Sequence, residues 1–316
     1  MRRGMLSVML IMFMVAFAAT AQGYDRLYTG DTAMTHDAGS FGVDGGFIYF
    51  MADKYFDDEG ESEDFEDASW TNMMIPVDVY YSVTDEFELA VLPAFTMKKF
   101  EFDGGDDWDG SGIADTWFAM KYMFLPEPMM TVRVGVKVPT GTEPYDPAGH
   151  QGDGGMCDED CDLATGSGQM DFDGAIMFGM PAGPGMFDVA VGYRYRMAQE
   201  VTVEFVRSRE EYTYDYTPGS EIHFAACYTY HLNDMMNLSL AADGFFGSDD
   251  EFDYEGIEDH HPDAGEDTGR NIVYINPGFE YMMESGMSFG VDMHYPLMGT
   301  NMMAEWGFGA YLGWGM

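Results

Sequence analysis

Basic residues are scarce in this sequence. Fourteen lysines and arginines stand against 56 aspartates and glutamates, and the formal net charge at pH 7 is −42. A protein of this charge repels the phosphate backbone, so a DNA- or RNA-binding function is excluded. Long apolar runs are also lacking, because only the N-terminus offers a stretch approaching the about 20 residues of a transmembrane helix. A polytopic helical membrane protein is therefore excluded, while a hydrophobic fraction of 46% excludes a disordered chain.

The single apolar run has the features of a secretory signal. Two arginines precede an apolar stretch from Met5 to Phe17, and an A-x-A cleavage site ends at Ala21. We therefore predict that residues 1–21 are a signal peptide. Gln22 stands where a lipoprotein would carry cysteine, so the mature chain is expected beyond the inner membrane without a lipid anchor.

The rest of the chain lacks a helical period and alternates instead between apolar residues and small or polar ones. Near the C-terminus, Trp306 and Phe308 alternate with Gly307 and Gly309. A period of two is typical of β-strands whose two faces meet different surroundings. About twelve such strands are predicted. They cover residues 41–52, 72–83, 87–99, 113–124, 129–138, 168–180, 186–197, 220–231, 236–246, 271–281, 287–295 and 304–316.

Short and long connections alternate between these predicted strands. A turn as short as Asn233-Asp234 joins one pair, whereas long polar segments such as 139–167 and 247–270 join others. Short turns at one end, long loops at the other, strands of about ten residues and an even strand count are typical of bacterial outer-membrane barrels. We predict an all-β, antiparallel, up-and-down transmembrane barrel with short periplasmic turns and long acidic extracellular loops.

A secreted β-sandwich would show the same alternation. Two features favour the barrel. The second face of the strands is rich in glycine and alanine, as a crowded lumen requires. Aromatic residues such as Tyr80, Tyr81 and Trp314 lie toward strand ends, as in interfacial girdles. We assign residues 39–316 to the barrel and residues 22–38 to an N-terminal segment that lies either in the periplasm or inside the barrel as a plug.

Several motifs resemble one outer-membrane family. They are the segment RVGVKVPTG at 133–141, GSGQMDFD at 166–173, the residues Gly112, Asp115, Trp117, Lys121 and Tyr122, and YTGDTA at 28–33. Together they resemble the signature of the outer-membrane transporters named for the MetA pathway of phenol degradation. The resemblance implies a 12-stranded barrel that moves small compounds, aromatic or hydrophobic ones included, across the outer membrane. Outer-membrane lipid and a small-molecule solute are then the expected partners.

The alternation assigns charged residues to the lumen face, where the scarce basic residues are concentrated. One interpretation is a charged constriction that orients a solute. The other is a salt-bridge network that fills and braces a narrow barrel. The candidate constriction residues are Asp115, Lys121, Arg133, Lys137, Asp171, Asp173, Arg194 and Arg196.

Cysteines and acidic loops suggest no cofactor. Cys157 and Cys161 lie four residues apart in an exported loop, which favours a local disulfide over a soft-metal site. The acidic segments 57–67 and 249–267 carry the oxygen ligands that calcium prefers, but they lack EF-hand spacing. Solvated loops are the preferred interpretation, and no metal site is predicted.

An enzyme and a surface-display barrel are the alternatives to a channel. An enzyme would need a serine with a positioned histidine, but Ser220 and His223 point to opposite faces of their strand, so no enzyme is predicted. The other alternative is a non-transporting barrel that displays acidic, cation-binding or adhesive loops.

The C-terminal residues resemble the signal that the outer-membrane assembly machinery reads. They end in Leu312, Trp314 and Met316, with methionine in place of the usual final aromatic residue.

Overall fold

The computed structural model describes residues 32–65, 68–102, 107–144, 162–204, 211–253, 268–283 and 285–315. None of these residues forms a helix long and apolar enough to cross a membrane. The strands in chain order are β1 (Phe41–Ala52), β2 (Lys54–Phe56), β3 (Ser62–Asp64), β4 (Ala68–Thr84), β5 (Phe87–Leu92), β6 (Ala94–Phe102), β7 (Trp108–Ile113), β8 (Thr116–Pro126), β9 (Met129–Val138), β10 (Asp171–Ala182), β11 (Gly185–Arg196), β12 (Gln199–Glu204), β13 (Glu211–Thr217), β14 (Glu221–Asn233), β15 (Met236–Gly247), β16 (Glu251–Asp253), β17 (Asn271–Met282), β18 (Met287–Thr300), β19 (Met302–Met303) and β20 (Trp306–Gly315).

Fourteen of these strands form one antiparallel sheet that closes on itself. Strand β1 pairs with β20 on one side and with β4 on the other, so the sheet has no free edge at this seam. Two of the barrel's strands are each interrupted once: Pro93 separates β5 from β6, and Ala114 and Asp115 separate β7 from β8. If each interrupted strand is counted once, the fourteen strands make a closed barrel of twelve. The predicted antiparallel 12-stranded barrel is confirmed.

The alternation of residue types produces the two faces of the wall. In β10, Asp171 and Asp173 are buried, whereas Phe172 and Ile176 are 44% and 59% exposed. Apolar side chains therefore point outward, where lipid takes the place of water, and charged side chains point inward. Tyr80 corrects one detail of the predicted girdle, because it faces the lumen while its neighbour Tyr81 is exposed on the outside.

The connections separate as predicted into a short-turn end and a long-loop end. Tight turns join β4 to β5, β8 to β9, β10 to β11, β14 to β15 and β17 to β18. The barrel begins at this end, since Phe41 lies opposite Tyr81 and Gly42 opposite Gly315. Both ends of the strand series therefore lie at the short-turn end, which the sequence analysis predicts to be the periplasmic end.

The long-loop end carries more strand structure than the sequence predicts. Two three-stranded sheets, β12–β13–β16 and β19–β2–β3, stand beyond the barrel within segments predicted only as polar loops. In the first of them, Tyr216 is buried and its hydroxyl donates to Asp250 Oδ2 at 3.0 Å. Burial and the neighbouring carboxylate raise the pKa of the Tyr216 phenol. The apolar face of this small sheet, with Val201 and Tyr214, explains how it forms among acidic neighbours.

Candidate functional site in the barrel interior

A network of buried ion pairs spans strands β9, β10, β11 and β14. The strand register produces it, because Asp171 lies opposite both Lys137 and Arg196, and Asp173 lies opposite Arg194. Lys137 Nζ lies 2.6 Å from Asp171 Oδ2 and 3.8 Å from Asp115 Oδ2. Charged groups on successive strands thus meet at one level of the lumen.

Asp173 is at the centre of this network. Its carboxylate lies 3.6 Å from Arg133 Nη2, 3.9 Å from Arg194 Nε and 2.6 Å from His223 Nε2. The side chains of Arg133 and Asp173 are 1% and 0% exposed. Buried charges of this kind are stable only when they are paired, and here each carboxylate meets several donors.

Glu221 completes the network and was absent from the predicted set. Arg194 Nη1 lies 3.2 Å from Glu221 Oε2, and Arg196 Nη2 donates to Glu221 Oε1. The signal was present in the sequence, because Glu221 shares the parity of His223 and therefore the lumen face. These ion pairs are called the charge network below, and its members are Asp115, Arg133, Lys137, Asp171, Asp173, Arg194, Arg196, Glu221 and His223.

Asp115 connects the network to a loop segment that folds inward. It accepts hydrogen bonds from Gly141 N at 3.2 Å and from the amide and hydroxyl of Ser167 at 2.8 and 2.7 Å. Leu163 is buried in the same segment, and its amide donates to Asp109 O at 3.0 Å. Gly110 permits this approach, since a Cβ there would lie 1.9 Å from Leu163 O. Residues 162–167, the described C-terminal end of the long loop, therefore pack inside the barrel near its long-loop end.

An apolar cluster occupies the lumen face next to the network. Ile48, Phe50, Met74, Leu92 and Trp117 are buried together on β1, β4, β5 and β8. The Arg194 guanidinium lies over the Trp117 ring, 5.0 Å from its centroid. Because β9 and β10 separate the strands of these two residues, this cation–π contact spans the inner face of β9 and β10 and joins the apolar cluster to the charge network.

Residues 69–311 match the model of the family described as "Putative MetA-pathway of phenol degradation". The chain belongs to this family. The resemblance found in the sequence motifs is thereby confirmed.

Solved structures of outer-membrane proteins are similar to this chain. The barrel is similar to the COG4313 outer membrane channel from Pseudomonas putida F1, with a TM-score of 0.68, 12% identity, and coverage of 90% of this chain and 98% of that chain. It also matches the TodX monoaromatic hydrocarbon channel at a TM-score of 0.48 and 8% identity, covering 94% and 96% of the two chains. No curated protein sequence matches. The chain is a bacterial outer-membrane β-barrel, as predicted.

Not every predicted site residue of this family member joins the network. Lys121 instead turns toward the periplasmic end, where Nζ lies 3.5 Å from Glu88 Oε1. The other seven predicted residues are brought together, and their part in solute passage stays a prediction. Cys157 and Cys161 lie outside the described residues, so their disulfide also stays a prediction. Cys227 is a free thiol on a strand of the wall.

Proposed function

We propose that this barrel is an outer-membrane channel for small amphipathic solutes that combine an aromatic or apolar body with a polar group. Family membership and fold support a transporter, and the interior suggests the solute class. The observation that carries the proposal is the contact between Trp117 and Arg194, where the apolar cluster and the charge network meet on the inner face of the wall.

This contact is the candidate constriction. Trp117 is 0% exposed and Arg194 1% exposed, so their contact is tightly packed, and in this proposal it narrows the passage at this level. A solute with an aromatic ring can replace the contact as it passes, because its ring offers Arg194 the same π-face that Trp117 offers. A purely polar solute of the same size provides no such replacement for the lost packing.

The charges of the interior disfavour anions. Arg194 at the constriction already faces Asp173 and Glu221, and its neighbour Arg133 also faces Asp173. Half-buried Asp292 and Glu280 add further negative charge to the lumen wall. The low-dielectric barrel wall focuses the electric field of these carboxylates into the lumen. This field favours neutral and cationic solutes over anionic ones.

The test is permeation of membrane-impermeant probes into liposomes that contain the refolded protein. Benzyltrimethylammonium is expected to enter faster than the smaller tetramethylammonium, and benzenesulfonate is expected to be excluded. Trp117→Leu should remove the preference for the aromatic cation. Trp306→Leu is the matched control, since that tryptophan is 41% exposed on the outside of the barrel.

Equal entry of both cations through the wild-type protein would contradict the proposed solute class. If no probe or ion passes through any variant, the barrel that only displays acidic loops becomes the better interpretation.

A further inference from the structure

A buried histidine lies among oxygen atoms on the lumen face of β18. His294 is 2% exposed, and the seven successive strands β14, β15, β17, β18, β20, β1 and β4 carry no lysine or arginine. His294 Nε2 lies 3.1 Å from Asp292 Oδ1, and its Nδ1 lies 3.0 Å from Asn276 Oδ1 on β17. Gly309 leaves room for the first contact, since a Cβ there would lie 2.3 Å from Asp292 Oδ1. The ring is therefore held between two oxygen atoms.

The orientation of the Asn276 amide is determined by its second contact. Asn276 Nδ2 donates to Asp243 Oδ1 on β15, and Asn276 and Asp243 are both buried. An ionised carboxylate can only accept a hydrogen bond, so the Asn276 atom that faces Asp243 has to be the amide nitrogen. The amide oxygen then faces His294, and Nδ1 of the ring has to carry a hydrogen.

The other ring nitrogen has to carry a hydrogen as well. Nε2 faces the carboxylate of Asp292, which offers the ring only an acceptor. With a hydrogen on each nitrogen, the ring is an imidazolium and carries one positive charge. His294 therefore supplies a cation on strands that have no lysine or arginine. His294, Asn276, Asp243 and Asp292 are called the histidine site below.

His231 has a similar contact without the second carboxylate. His231 Nδ1 lies 2.7 Å from Asn237 Oδ1, and Asn237 Nδ2 donates to Glu280 Oε2 at 2.9 Å. The amide again requires a hydrogen on Nδ1. Among the described residues, Nε2 of His231 meets no carboxylate, so a neutral ring satisfies every contact. His231 is therefore the matched control for His294.

The histidine site borders the apolar cluster that contains the candidate constriction. The centroid of the His294 ring lies 5.4 Å from that of Phe50, which is buried in one cluster with Trp117. Arg194 contacts the same cluster at Trp117. The apolar cluster is thus bordered by one permanent cation and by a second cation that exists only while His294 holds both protons.

Loss of one proton from His294 changes the charge of the lumen wall. Because Asn276 retains the hydrogen on Nδ1, the proton leaves from Nε2, and the lone pair left there faces the Asp292 carboxylate. The Asp292 side chain is 13% exposed, so its uncompensated charge acts on the lumen. Imidazole is the side chain whose charge changes near neutral pH, which makes this change accessible under ordinary conditions.

We propose that His294 is a specificity-determining residue, held as an imidazolium, whose proton sets the charge selectivity of the passage. With the proton bound, His294 compensates Asp292 and cations gain little. Without it, Asp292 attracts cations toward the constriction. The proposal rests on the proposed function insofar as passage is its readout, whereas the charge of the ring is measured independently of passage.

Other titratable groups lie on the strands packed around His294. Tyr274 lies opposite Asp243, and Glu305 accepts from Trp70 Nε1 at 2.6 Å. The whole set is Asp243 on β15, Tyr274 and Glu280 on β17, Asp292 on β18, Glu305 directly before β20 and Tyr311 on β20. All of them remain in a His294→Gln variant, so the difference between its pH profile and that of the wild type reports His294 alone.

The charge of the ring is measured by NMR on refolded protein with nitrogen-15-labelled histidine. At pH 7, His294 should show a proton on each ring nitrogen, and His231 should show a proton on one. The His294→Gln variant assigns the signal by its loss. Asp292→Ala removes the acceptor of Nε2 and should leave His294 with a single N–H under the same conditions.

Charge selectivity is measured from the reversal potential in a potassium chloride gradient across planar bilayers. Raising the pH from about 6 to about 9 should increase the wild-type preference for potassium over chloride by about half, because one positive charge beside the bore is lost. His294→Gln should have the higher preference at both pH values, and His294→Lys the lower one. His231→Gln should follow the wild type. The heat-modifiable gel shift checks that each variant is folded.

The outcomes separate this inference from the proposed function. A single N–H on His294 at pH 7 would overturn the charge assigned to the ring. An equal rise with pH in the wild type and in His294→Gln, or no rise in either, would overturn its part in selectivity, and so would the absence of ion current through every variant. Selectivity that depends on His294 without a preference for the aromatic cation would overturn the proposed solute class and leave this inference standing.

Discussion

The two sides of the lumen satisfy their carboxylates in different ways. Strands β5 to β11, the basic arc, carry every lysine and arginine of the barrel strands, whereas β14, β15, β17, β18, β20, β1 and β4, the acidic arc, carry none. On the basic arc Asp173 meets two arginines and a histidine. On the acidic arc Glu280 accepts from the Asn237 amide at 2.9 Å, and Asp292 lies 3.1 Å from His294 Nε2.

The difference in burial shows what each arc does. The charge network is almost completely shielded from water, so its charges hold strands together more than they act on a distant solute. Asp292 and Glu280 remain partly exposed to the lumen, and their charges make its electrostatic potential more negative. Of the two interpretations drawn from the sequence, brace and constriction, burial favours the brace for most of the network, and the constriction at Arg194 and Trp117 stays a proposal.

The largest expected effect comes from removing one carboxylate of the basic arc. Asp173→Ala leaves Arg133, Arg194 and His223 without their shared partner and should lower the free energy of unfolding by about 3–5 kcal/mol. Urea titration in lipid vesicles, followed by the heat-modifiable gel shift, measures it. Asp292→Ala on the acidic arc is the matched change and should cost less, because Asp292 pairs with one histidine, whereas Asp173 meets two arginines and a histidine. Equal losses would show that the two arcs do not differ in this way.

A change on the outer face of the basic arc should have the next largest effect. Val134 is exposed to lipid between inward Arg133 and Gly135, and an arginine near the bilayer midplane costs about 2–4 kcal/mol. Val134→Arg should therefore fold less stably in the same titration, while Val134→Leu should match the wild type. An unchanged unfolding midpoint for Val134→Arg would contradict the assignment of this face.

The smallest effect is expected from neutralising the acidic arc. Glu280→Gln/Asp292→Asn should reduce the preference for potassium over chloride about twofold, because fewer carboxylates attract cations into the bore. The reversal potential in a potassium chloride gradient measures this ratio. Glu200→Gln on the outer sheet removes a charge far from the lumen and should leave the ratio unchanged. A shift of equal size in that control would place the selectivity outside the barrel.

The sequence predicts the barrel wall well because its determinants are local. Each strand carries its own period of two, and β1 and β9 have the predicted bounds, 41–52 and 129–138. The same period is sufficient to place Arg133, Asp173 and Arg194 on the lumen face.

The contents of the barrel are less predictable because their contacts are distant in sequence. The bond from Thr131 to Ala33 joins residues 98 positions apart, and the segment before β1 has no period that distinguishes a plug from a periplasmic tail. The bond from Lys98 Nζ to Ala164 O likewise depends on where a long loop folds back. The pairing of Glu221 with both Arg194 and Arg196 likewise follows only from the register of β11 and β14.

The glycines beneath aromatic rings have a consequence for barrel closure. A Cβ at Gly290 would lie 1.7 Å from Tyr311 Cζ, and one at Gly42 would lie 2.1 Å from Tyr80 Cζ. Gly290 and Tyr311 belong to β18 and β20, Gly42 and Tyr80 to β1 and β4, so one ring-on-glycine contact flanks each side of the seam where β1 meets β20. If the seam slipped by one residue, every side chain of the last strand would change face. The two contacts fix the register of β1 against β4 and of β20 against β18. They thereby favour a single register where β1 and β20, the most distant strands in the sequence, pair with each other.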